Sequence, residues 1–506
     1  MPAMLLQKLL PDVELKTHLS NLPVTGMCLD SRKVQPGDLF FAVPGSELDG
    51  REFIKDAISR GATLILEEQE GSSVEIKEQG SVLTVSMPDL SRKVSEVASR
   101  FYSEPSARMP VVGVTGTNGK TSCSVLLAQL SHRLGKRSGV IGTLGYGLLD
   151  SAANTQSLNS TGLTTPDAIH TQEIFHSLYN QGAELVIMEV SSHSLDQARV
   201  AAIDFDIAIF TNLTRDHLDY HGDMAAYGRA KQQLFEMACL KCAIINLDDE
   251  FGRELFRVVS KLPLDCLSYS LSDQGADIHV SQLELSDHGV RANLHSPWGE
   301  GVIDSQLLGP YNLSNMLAVI AAACSQGYSL DAVLSKVPDL VAVPGRMQNI
   351  DTEADIQVVV DYAHTPDALE KTLEALRPHT HGKLWSVFGC GGDRDAGKRP
   401  LMASISERLA DRVVVTSDNP RNESPEDIVA DIVAGLQEQS RSSVILDRAQ
   451  AIAQSIADAS PGDTVLIAGK GHEDYQLVGD QVLQFSDFAE ARKALAQRRA
   501  DGGENA

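Results

Sequence analysis

The sequence predicts an α/β protein with three domains, two of which are built on parallel sheets. Its 506 residues are too many for one compact core, because most domains contain about 100 to 200 residues. Two series of near-continuous apolar segments, one in the middle of the chain and one in its last third, are typical of strands buried in parallel sheets. Helical segments separate these strands, as expected for a sheet covered on both faces.

The first domain is predicted for residues 1–107. Short apolar runs at 38–43 and 62–66 are broken by glycine and proline, which indicates a small mixed α/β domain. The segment 104–106, Glu-Pro-Ser, has the composition of a linker and precedes the change of rhythm.

The central domain is predicted for residues 108–345. Residues 278–308 alternate apolar and polar side chains, which predicts an antiparallel patch at the edge of this domain. The other strands are predicted to be parallel and buried; their segments read MPVVGVTG, AELVIMEV, FDIAIFTNLT and CAIINLDD.

The third domain is predicted for residues 346–506. Its apolar runs are contained in IQVVVDYAH, LWSVFGCGG, DRVVVTSDNP, SSVILD and DTVLIAGKG. Most of these runs lead into polar residues. Because ligands gather beyond the carboxyl ends of parallel strands, we expect a second binding surface here.

The composition restricts the classes of function. A formal net charge of −25 argues against a general nucleic-acid-binding surface, because neutralising phosphates needs clustered positive charge. No segment approaches the roughly 18 consecutive apolar residues of a membrane span. Seven scattered cysteines fit a reducing compartment rather than a disulfide framework, so a cytoplasmic location is expected.

The stretch VVGVTGTNGKTS, residues 111–122, predicts a phosphate-binding loop between a strand and a helix. The strict Walker spacing would place glycine where this chain has Val114. The backbone N–H groups around Gly116 and Gly119 can still wrap a phosphate at the start of a helix, whose dipole favours anions. Lys120 is predicted to contact the terminal phosphates and Thr121 to bind Mg²⁺, which together predict binding of a nucleoside triphosphate.

Later strand ends add candidate metal ligands. Glu189 ends its apolar segment, where a Walker-B-like carboxylate would bind Mg²⁺. The stretch TNLTRDHLDYHGDMAAYGRAKQQLF, which follows the next strand, contains His217, His221 and Lys231. Neither a loop histidine nor a helix lysine predicts a function by itself, because the first commonly makes hydrogen bonds and the second is commonly solvated.

Nine motifs in order along the chain resemble those of the Mur ligases. They are GVTGTNGKTS, MEVSSH, TNLTRDHLDYHG with YGRAKQQLF, GPYNLSNMLA, PGRMQ, VDYAHTPDAL, GCGGDRDAGKRP, DNPR and AGKGHEDYQ. With DSRKVQPGDLFFAVPG near the N-terminus, the resemblance covers essentially the whole chain. It implies an N-terminal domain for a UDP-linked substrate, a central P-loop parallel-sheet ATPase domain, and a Rossmann-like C-terminal domain that binds the amino acid.

The resemblance is closest to the members that add meso-diaminopimelate to UDP-N-acetylmuramoyl-L-Ala-D-Glu during synthesis of peptidoglycan precursors. It implies that ATP activates a carboxylate as an acyl phosphate, which the incoming amine attacks, with release of ADP and phosphate. The implied partners are ATP, Mg²⁺ and these two substrates, without nucleic acid or a membrane span, and a monomer is expected.

The resemblance also assigns ligands of ATP and metal. Thr121 and Glu189 would hold one Mg²⁺, whereas His217 and Lys231 would serve a second one near the carboxylate and γ-phosphate. Lys231 would be carbamylated, because a protonated lysine would repel the metal. With Lys120, these side chains of Lys231, Glu189 and His217 are the implied catalytic residues. The implied contacts of ATP are Gly116, Thr117, Asn118, Gly119, Lys120, Thr121, Asn312, Arg346, Asp361 and His364.

Two further sets of residues follow from the same resemblance. Those for the UDP-muramoyl dipeptide are Ser31, Thr164, Thr165, Ser191, Gln197 and Arg199. Relatives have His-Gln where this chain has Ser46-Glu47, so these two positions receive no role. Those for diaminopimelate are Arg394, Asp418, Asn419, Arg421, Gly469 and Glu473. Arg421 can pair with a carboxylate that L-lysine lacks, and lysine would therefore leave this arginine unpaired.

Two other interpretations remain open from the sequence. A ligase of the same superfamily, such as a folylpolyglutamate synthetase or the ligase for the preceding or following stem-peptide residue, would share the ATP loop and Lys231 but not DNPR together with GKGHEDYQ. A P-loop ATPase that acts as a regulatory switch predicts ATP hydrolysis that is independent of any UDP-muramoyl peptide.

Overall fold

The computed structural model describes residues 3–45, 48–149, 157–350 and 354–503. Ser46 and Glu47 therefore lie outside the described residues. The chain divides into two compact units, Met1–Ser268 and Tyr269–Ala506. None of the helices within the described ranges is long and apolar enough to cross a membrane.

The first unit begins with a five-stranded sheet. The elements of this part of the chain are β1 (Met4–Leu5), α1 (Leu6–Leu9), α2 (Thr17–Ser20), β2 (Pro23–Val24), β3 (Gly26–Cys28), β4 (Asp38–Ala42), α3 (Ile54–Ser59), β5 (Leu64–Glu68), β6 (Glu75–Gln79), β7 (Val82–Met87) and α4 (Leu90–Phe101). Strands β1 and β2 pair with each other, and the other five strands form the sheet. The strand order is β3-β4-β5-β7-β6, in which only β6 is antiparallel to its neighbour. This part is the small mixed α/β region that the sequence predicts.

A second sheet of the first unit carries the predicted phosphate loop. Its elements are β8 (Val111–Thr115), α5 (Lys120–Arg133), β9 (Ser138–Gly142), β10 (Gly145–Leu148), α6 (Ala168–Asn180), β11 (Leu185–Glu189), α7 (Ser192–Asp196), β12 (Ile207–Phe210), α8 (Leu218–His221), α9 (Met224–Gln232), β13 (Cys242–Asn246), α10 (Glu250–Val259) and β14 (Asp265–Ser270), which ends in the second unit. In the order β10-β9-β11-β8-β12-β13, every pair is parallel except β10 with β9. The parallel strands are buried throughout, which explains their continuous apolar sequence.

The two sheets of the first unit are joined by packing and by hydrogen bonds. Helix α4 packs against α6, and Ala168 and Ile169 belong to the apolar core of the N-terminal sheet. The Ser95 hydroxyl of α4 accepts a hydrogen bond from the backbone N–H of Ala202 (3.1 Å). These contacts place both sheets in one compact unit, and the predicted boundary after residue 107 stays a prediction.

The second unit begins with antiparallel strands and continues into another parallel sheet. Its elements are β15 (Ile278–Ser286), β16 (Gly289–Ser296), β17 (Gly299–Ser305), α11 (Pro310–Ser325), α12 (Leu330–Leu334), β18 (Gln348–Asn349), β19 (Gln357–Asp361), α13 (Pro366–Leu376), β20 (Leu384–Phe388), α14 (Lys398–Leu409), β21 (Arg412–Val415), α15 (Pro425–Val433), β22 (Ser442–Val444), α16 (Arg448–Asp458), β23 (Thr464–Ala468), β24 (Tyr475–Val478), β25 (Gln481–Gln484) and α17 (Asp487–Gly503). Strands β15, β16 and β17 pair antiparallel, which confirms the alternation in the sequence.

The six-stranded sheet of the second unit has helices on both faces. Its order is β18-β19-β23-β20-β21-β22, and only β18 is antiparallel. Helices α13, α14 and α15 cover one face, and α16 and α17 cover the other. Each of the five apolar runs predicted here contains one parallel strand, and the predicted α/β class is confirmed.

Candidate active site

The phosphate loop lies between the end of β8 and the start of α5. Gly116 has φ 147° and lies against Thr211, so a Cβ at this position would be 1.9 Å from the Thr211 hydroxyl oxygen. Only glycine fits there. Lys120 folds back over the loop, and its ammonium donates to the carbonyl oxygens of Gly116 (2.9 Å) and Thr117 (2.8 Å).

The segment after β12 braces this loop. The backbone N–H of Thr117 donates to Asn212 O (2.8 Å), and the N–H of Asn118 donates to Asn212 Oδ1 (3.0 Å). In return, Thr214 N–H donates to the Thr117 hydroxyl (3.0 Å). The sequence did not predict this role of Asn212, although it lies in the TNLT motif.

Glu189, at the end of β11, is held by two threonines. Thr121 Oγ1 donates to Glu189 Oε2 (3.0 Å), so the two predicted metal ligands lie side by side. Thr143 was not predicted, yet its backbone N–H donates to Glu189 Oε1 (2.9 Å) and its hydroxyl to Oε2 (3.0 Å). Such second partners fix the direction of a metal-binding carboxylate.

Four residues predicted for the UDP-muramoyl dipeptide lie beside Glu189. The Thr164 and Thr143 hydroxyls are 3.1 Å apart. The Thr165 hydroxyl donates to Glu189 O (2.9 Å) and accepts from the backbone N–H of Ser191 (3.1 Å). Arg199 Nη1 donates to Thr165 O (3.0 Å).

Gln197 extends this cluster, whereas Ser31 lies in the N-terminal sheet region. Gln197 Oε1 accepts from Arg199 Nε (2.9 Å), and its amide donates to the Tyr220 hydroxyl (3.0 Å). Ser31 is buried at the start of a short turn, and its hydroxyl lowers the pKa of the Asp56 carboxyl through a hydrogen bond.

Lys231 is almost fully buried on α9, with 1% of its surface exposed. Its amine donates to the same Gly116 carbonyl oxygen that Lys120 contacts (2.9 Å) and lies 4.5 Å from the centre of the Tyr227 ring. Burial lowers the pKa of Lys231 well below its ordinary value, and the nearby charge of Lys120 lowers it further. Both effects favour the neutral form of this amine.

His217 lies next to a group of aromatic rings. Its ring centre is 4.8 Å from that of His193 and 6.0 Å from that of Tyr227. His221 stacks on Tyr227 at 5.1 Å and hydrogen-bonds the Ser192 hydroxyl (2.9 Å). Burial, followed by the charges of the neighbouring histidines, lowers the pKa of His193 to about 4, so this ring stays neutral at physiological pH. His193 was missed in the sequence, although it stands in the MEVSSH motif.

The oxygen-rich pair of Thr121 and Glu189 fits Mg²⁺. This ion takes hard oxygen ligands and is commonly bound through one or two protein groups together with phosphates and water. Within the ranges that the structure describes, no group of three or more His, Cys, Asp or Glu side chains could hold a metal by itself. The donor set therefore suits an ion that arrives with a nucleotide.

The other residues predicted for ATP lie in the second unit. Asn312 is buried on α11, where its amide donates to Leu308 O (2.8 Å). The Arg346 guanidinium lies 4.7 Å from the ring centre of Tyr362, and the His364 ring lies 4.6 Å from the same ring.

Asp361 is held inside the protein at the end of β19. Its carboxylate accepts the backbone N–H groups of Met347 (2.7 Å) and Ala363 (2.9 Å). Burial raises the pKa of this carboxyl. The hydrogen bonds indicate that Asp361 orders the backbone around Arg346, which was not foreseen.

The residues predicted for diaminopimelate converge beyond the ends of β21 and β23. Asn419 Nδ2 donates to Glu473 Oε2 (2.9 Å). A Cβ on Gly469, which has φ 120°, would lie 2.6 Å from Asp418 Oδ2, so glycine allows the two loops to approach. Lys470, which was not predicted, lies fully buried among these side chains.

Arg421 follows Asn419 by two residues, and its side chain contacts the loop after β20. Its Nη1 donates to Gly392 O (2.9 Å), and among the described residues neither Nε nor Nη2 has a hydrogen-bond partner. Gly391 separates it from Arg394: a Cβ there would lie 2.8 Å from Arg421 Nη1 and 3.8 Å from Arg394 Cγ. Arg394 and Arg421 therefore both border Gly391.

Comparisons with known proteins agree with this architecture. Residues 23–102 match the model of the Mur ligase family catalytic domain, residues 114–323 that of the Mur ligase middle domain, and residues 345–471 that of the Mur ligase glutamate ligase domain.

Individual relatives match along nearly the full length. A protein of Ectopseudomonas mendocina named UDP-N-acetylmuramoyl-L-alanyl-D-glutamate--2,6-diaminopimelate ligase is 52% identical over 97% of this chain and 98% of its own. A Coxiella burnetii protein of the same name is 45% identical over 96% and 98%. A solved structure of a ligase of that name has 38% identity and a TM-score of 0.76, and covers 98% of this chain and 99% of that one. The chain therefore belongs to the Mur ligase family.

Proposed function

We propose that this protein is an ATP-dependent ligase that joins meso-diaminopimelate to UDP-N-acetylmuramoyl-L-Ala-D-Glu and forms ADP and phosphate. The names of its relatives support this reaction. Two observations support this substrate: Arg421 has two donors, Nε and Nη2, without partners among the described residues, and Asn419, two residues before it, bonds the carboxylate of Glu473. This pairing suits the carboxylate and ammonium at the far end of diaminopimelate.

The reaction proceeds in two steps. A carboxylate oxygen of the dipeptide attacks the γ-phosphorus of ATP, ADP leaves, and an acyl phosphate forms. The amine of diaminopimelate then attacks the acyl carbon, phosphate leaves with the electrons of the broken C–O bond, and the nitrogen loses a proton. Lys120 and the backbone N–H groups of the loop neutralise the phosphate charge that accumulates.

Thr121 and Glu189 would hold Mg²⁺, with Thr143 fixing the direction of the carboxylate. When bound, the ion neutralises phosphate oxygens and aligns them for in-line transfer. Thr164, Thr165 and the residues bonded to them lie next to this pair, which supports their assignment to the muramoyl dipeptide.

We further propose that Lys231 carries a carbamate. Its neutral nitrogen can attack CO₂, so that a N–C bond forms, a proton leaves and the side chain becomes an anion. The product would be an anion near the ammonium of Lys120, and these two charges would attract each other. Together with His217 it would serve a second metal ion near the reacting carboxylate.

The residues Asn312, Arg346, Asp361 and His364 remain proposed contacts of ATP. The Arg346 guanidinium and the His364 ring both lie against the Tyr362 ring, so a positive charge and an aromatic ring lie near one another. Asp361 orders the backbone next to Arg346. We propose that the enzyme is a monomer and that it acts in the cytoplasm.

The decisive experiment measures phosphate release from ATP with Mg²⁺ and UDP-N-acetylmuramoyl-L-Ala-D-Glu, and compares meso-diaminopimelate with L-lysine. Release only with diaminopimelate supports both the reaction and the role of Arg421. A preference for lysine keeps a ligase and overturns the pocket. Phosphate release that is indifferent to both amino acids and to the dipeptide would favour the regulatory ATPase instead.

A further inference from the structure

Lys470, in the AGKGHEDYQ motif, is fully buried beside the carboxylates of Asp418 and Glu473. The proposed reaction assigns it no role. Its Nζ lies 3.1 Å from Asn419 Oδ1, 3.2 Å from Glu473 Oε2 and 3.9 Å from Asp418 Oδ1. None of its side-chain surface is exposed. A buried ammonium is retained in a protein when charged and polar partners surround it, as they do here.

The charged side chains around Lys470, including its own ammonium, add up to a net charge of minus one. We name Asp418, Asn419, Lys470 and Glu473 the Lys470 cluster; its two carboxylates and single ammonium leave one net negative charge. Arg448 lies behind it but is already neutralised, because its Nε and Nη2 donate to the two oxygens of Asp487 at 2.7 Å. A site with one net negative charge is complementary to one ammonium group.

The same lysine orients the Asn419 amide. Asn419 Oδ1 accepts from Lys470 Nζ and from the backbone N–H of Leu477 (3.0 Å), and its Nδ2 therefore points to Glu473 Oε2 (2.9 Å). Removing Lys470 would leave two carboxylates facing each other and would free the Asn419 amide to rotate.

We propose that Lys470 is a positioning residue that sets the charge of the amino-acid pocket. It neutralises one of the two carboxylates and holds Asn419 and Glu473 in place, so that the cluster attracts a single distal ammonium while Arg421 takes the distal carboxylate. This inference rests on the proposed function, because it concerns recognition of diaminopimelate.

The test compares the wild type with Lys470→Met, Glu473→Gln and the double variant. For each, KM is measured for diaminopimelate, ATP and the UDP-muramoyl dipeptide, and folding is checked by thermal unfolding. Lys470→Met is expected to raise KM for diaminopimelate roughly 10- to 100-fold, because it leaves a buried charge unpaired, while the KM for ATP changes less than about twofold. Adding Glu473→Gln removes one of the two carboxylates, returns the net charge of the cluster to minus one and is expected to lower the raised KM again. Lys371→Met, at a partly exposed lysine of α13 that forms a salt bridge with Asp367, is the control.

Three results of these measurements would contradict the proposed role of Lys470. An unchanged KM for diaminopimelate in Lys470→Met, an equal rise in all three KM values, or a double variant no better than Lys470→Met overturns the inference. If Lys470→Met does not fold, the double variant is compared with Glu473→Gln instead. The clusters of these two variants carry net charges of minus one and zero, so a KM for diaminopimelate that is not lower in the double variant also overturns the inference. Failure of the proposed function looks different, because the wild type itself would then release no phosphate in response to diaminopimelate.

Discussion

Replacing Arg421 with alanine tests how the second unit selects its amino acid. The guanidinium is anchored to Gly392 O through Nη1, and among the described residues its Nε and Nη2 donors are left for a ligand. These two donors form the edge that binds a carboxylate in bidentate fashion. Two charge-assisted hydrogen bonds of about 1.5 kcal/mol each give about 3 kcal/mol, which corresponds to roughly 100-fold in kcat/KM.

The assay is phosphate release with meso-diaminopimelate and with L-lysine. Arg421→Ala is expected to lower kcat/KM for diaminopimelate roughly 100-fold and to change the value for lysine little, because lysine has no carboxylate for this arginine. The preference between the two amino acids should therefore shrink by about the same factor.

Two features keep this comparison interpretable. Arg421 has φ 52°, a strained conformation for alanine as well as arginine, so the backbone strain is common to both proteins. Arg441→Ala is the matched control, since Arg441 is an exposed arginine of the same unit that pairs with Glu438. An equal loss with both amino acids, or a loss that appears in KM for ATP, would refute the reasoning.

Three further predictions concern the first unit and the stability of the second. Lys231→Ala is expected to abolish turnover, and small carboxylic acids should restore part of it; full activity of the variant would exclude a carbamate role. Thr143→Val removes one donor to Glu189 and should raise the Mg²⁺ concentration for half-maximal rate about 10-fold, whereas Thr143→Ser should not; identical Mg²⁺ titrations would contradict this. His379 is buried and accepts a hydrogen bond from Gly309 N–H (3.0 Å), and burial lowers its pKa below the ordinary 6.5. The unfolded chain therefore binds the proton more readily, so this contribution to stability is complete above pH 6.5 and is lost as pH falls below it. The midpoint of urea unfolding should fall more steeply between about pH 7 and pH 5 in the wild type than in His379→Gln, and parallel curves would exclude this role.

The strands could be predicted because a strand that is buried on both faces has apolar side chains at consecutive positions. The segment Val111–Thr115 is apolar at nearly every position, since both faces of its strand are covered. The packing of the two sheets of the first unit could not be predicted in the same way. It depends on contacts such as that between Ser95 and Ala202, which are far apart in the chain and follow no local pattern.

In the candidate site, too, residues in local motifs could be predicted, whereas residues brought together by the fold could not. Lys120 and Thr121 follow from a local motif, because a strand, a glycine-rich turn and a helix start fix their positions. Thr143 stands in no such motif, and only the neighbouring strands β9 and β11 bring it to Glu189. His193 was within a recognised motif, yet its approach to His217 depends on the loop after β12.

The two buried lysines show why residue type alone could not settle the chemistry. Lys231 and Lys470 are both almost fully enclosed, but their neighbours carry opposite charges. Lys231 is buried near the ammonium of Lys120, and a backbone carbonyl oxygen accepts its hydrogen bond. Burial and the charge of Lys120 favour the neutral form, whose nitrogen is available for reaction. Lys470 lies beside the carboxylate of Glu473, which favours an ammonium that organises a pocket. One lysine is therefore suited to becoming an anion and the other to balancing one, and the side chains that decide this come from distant parts of the chain.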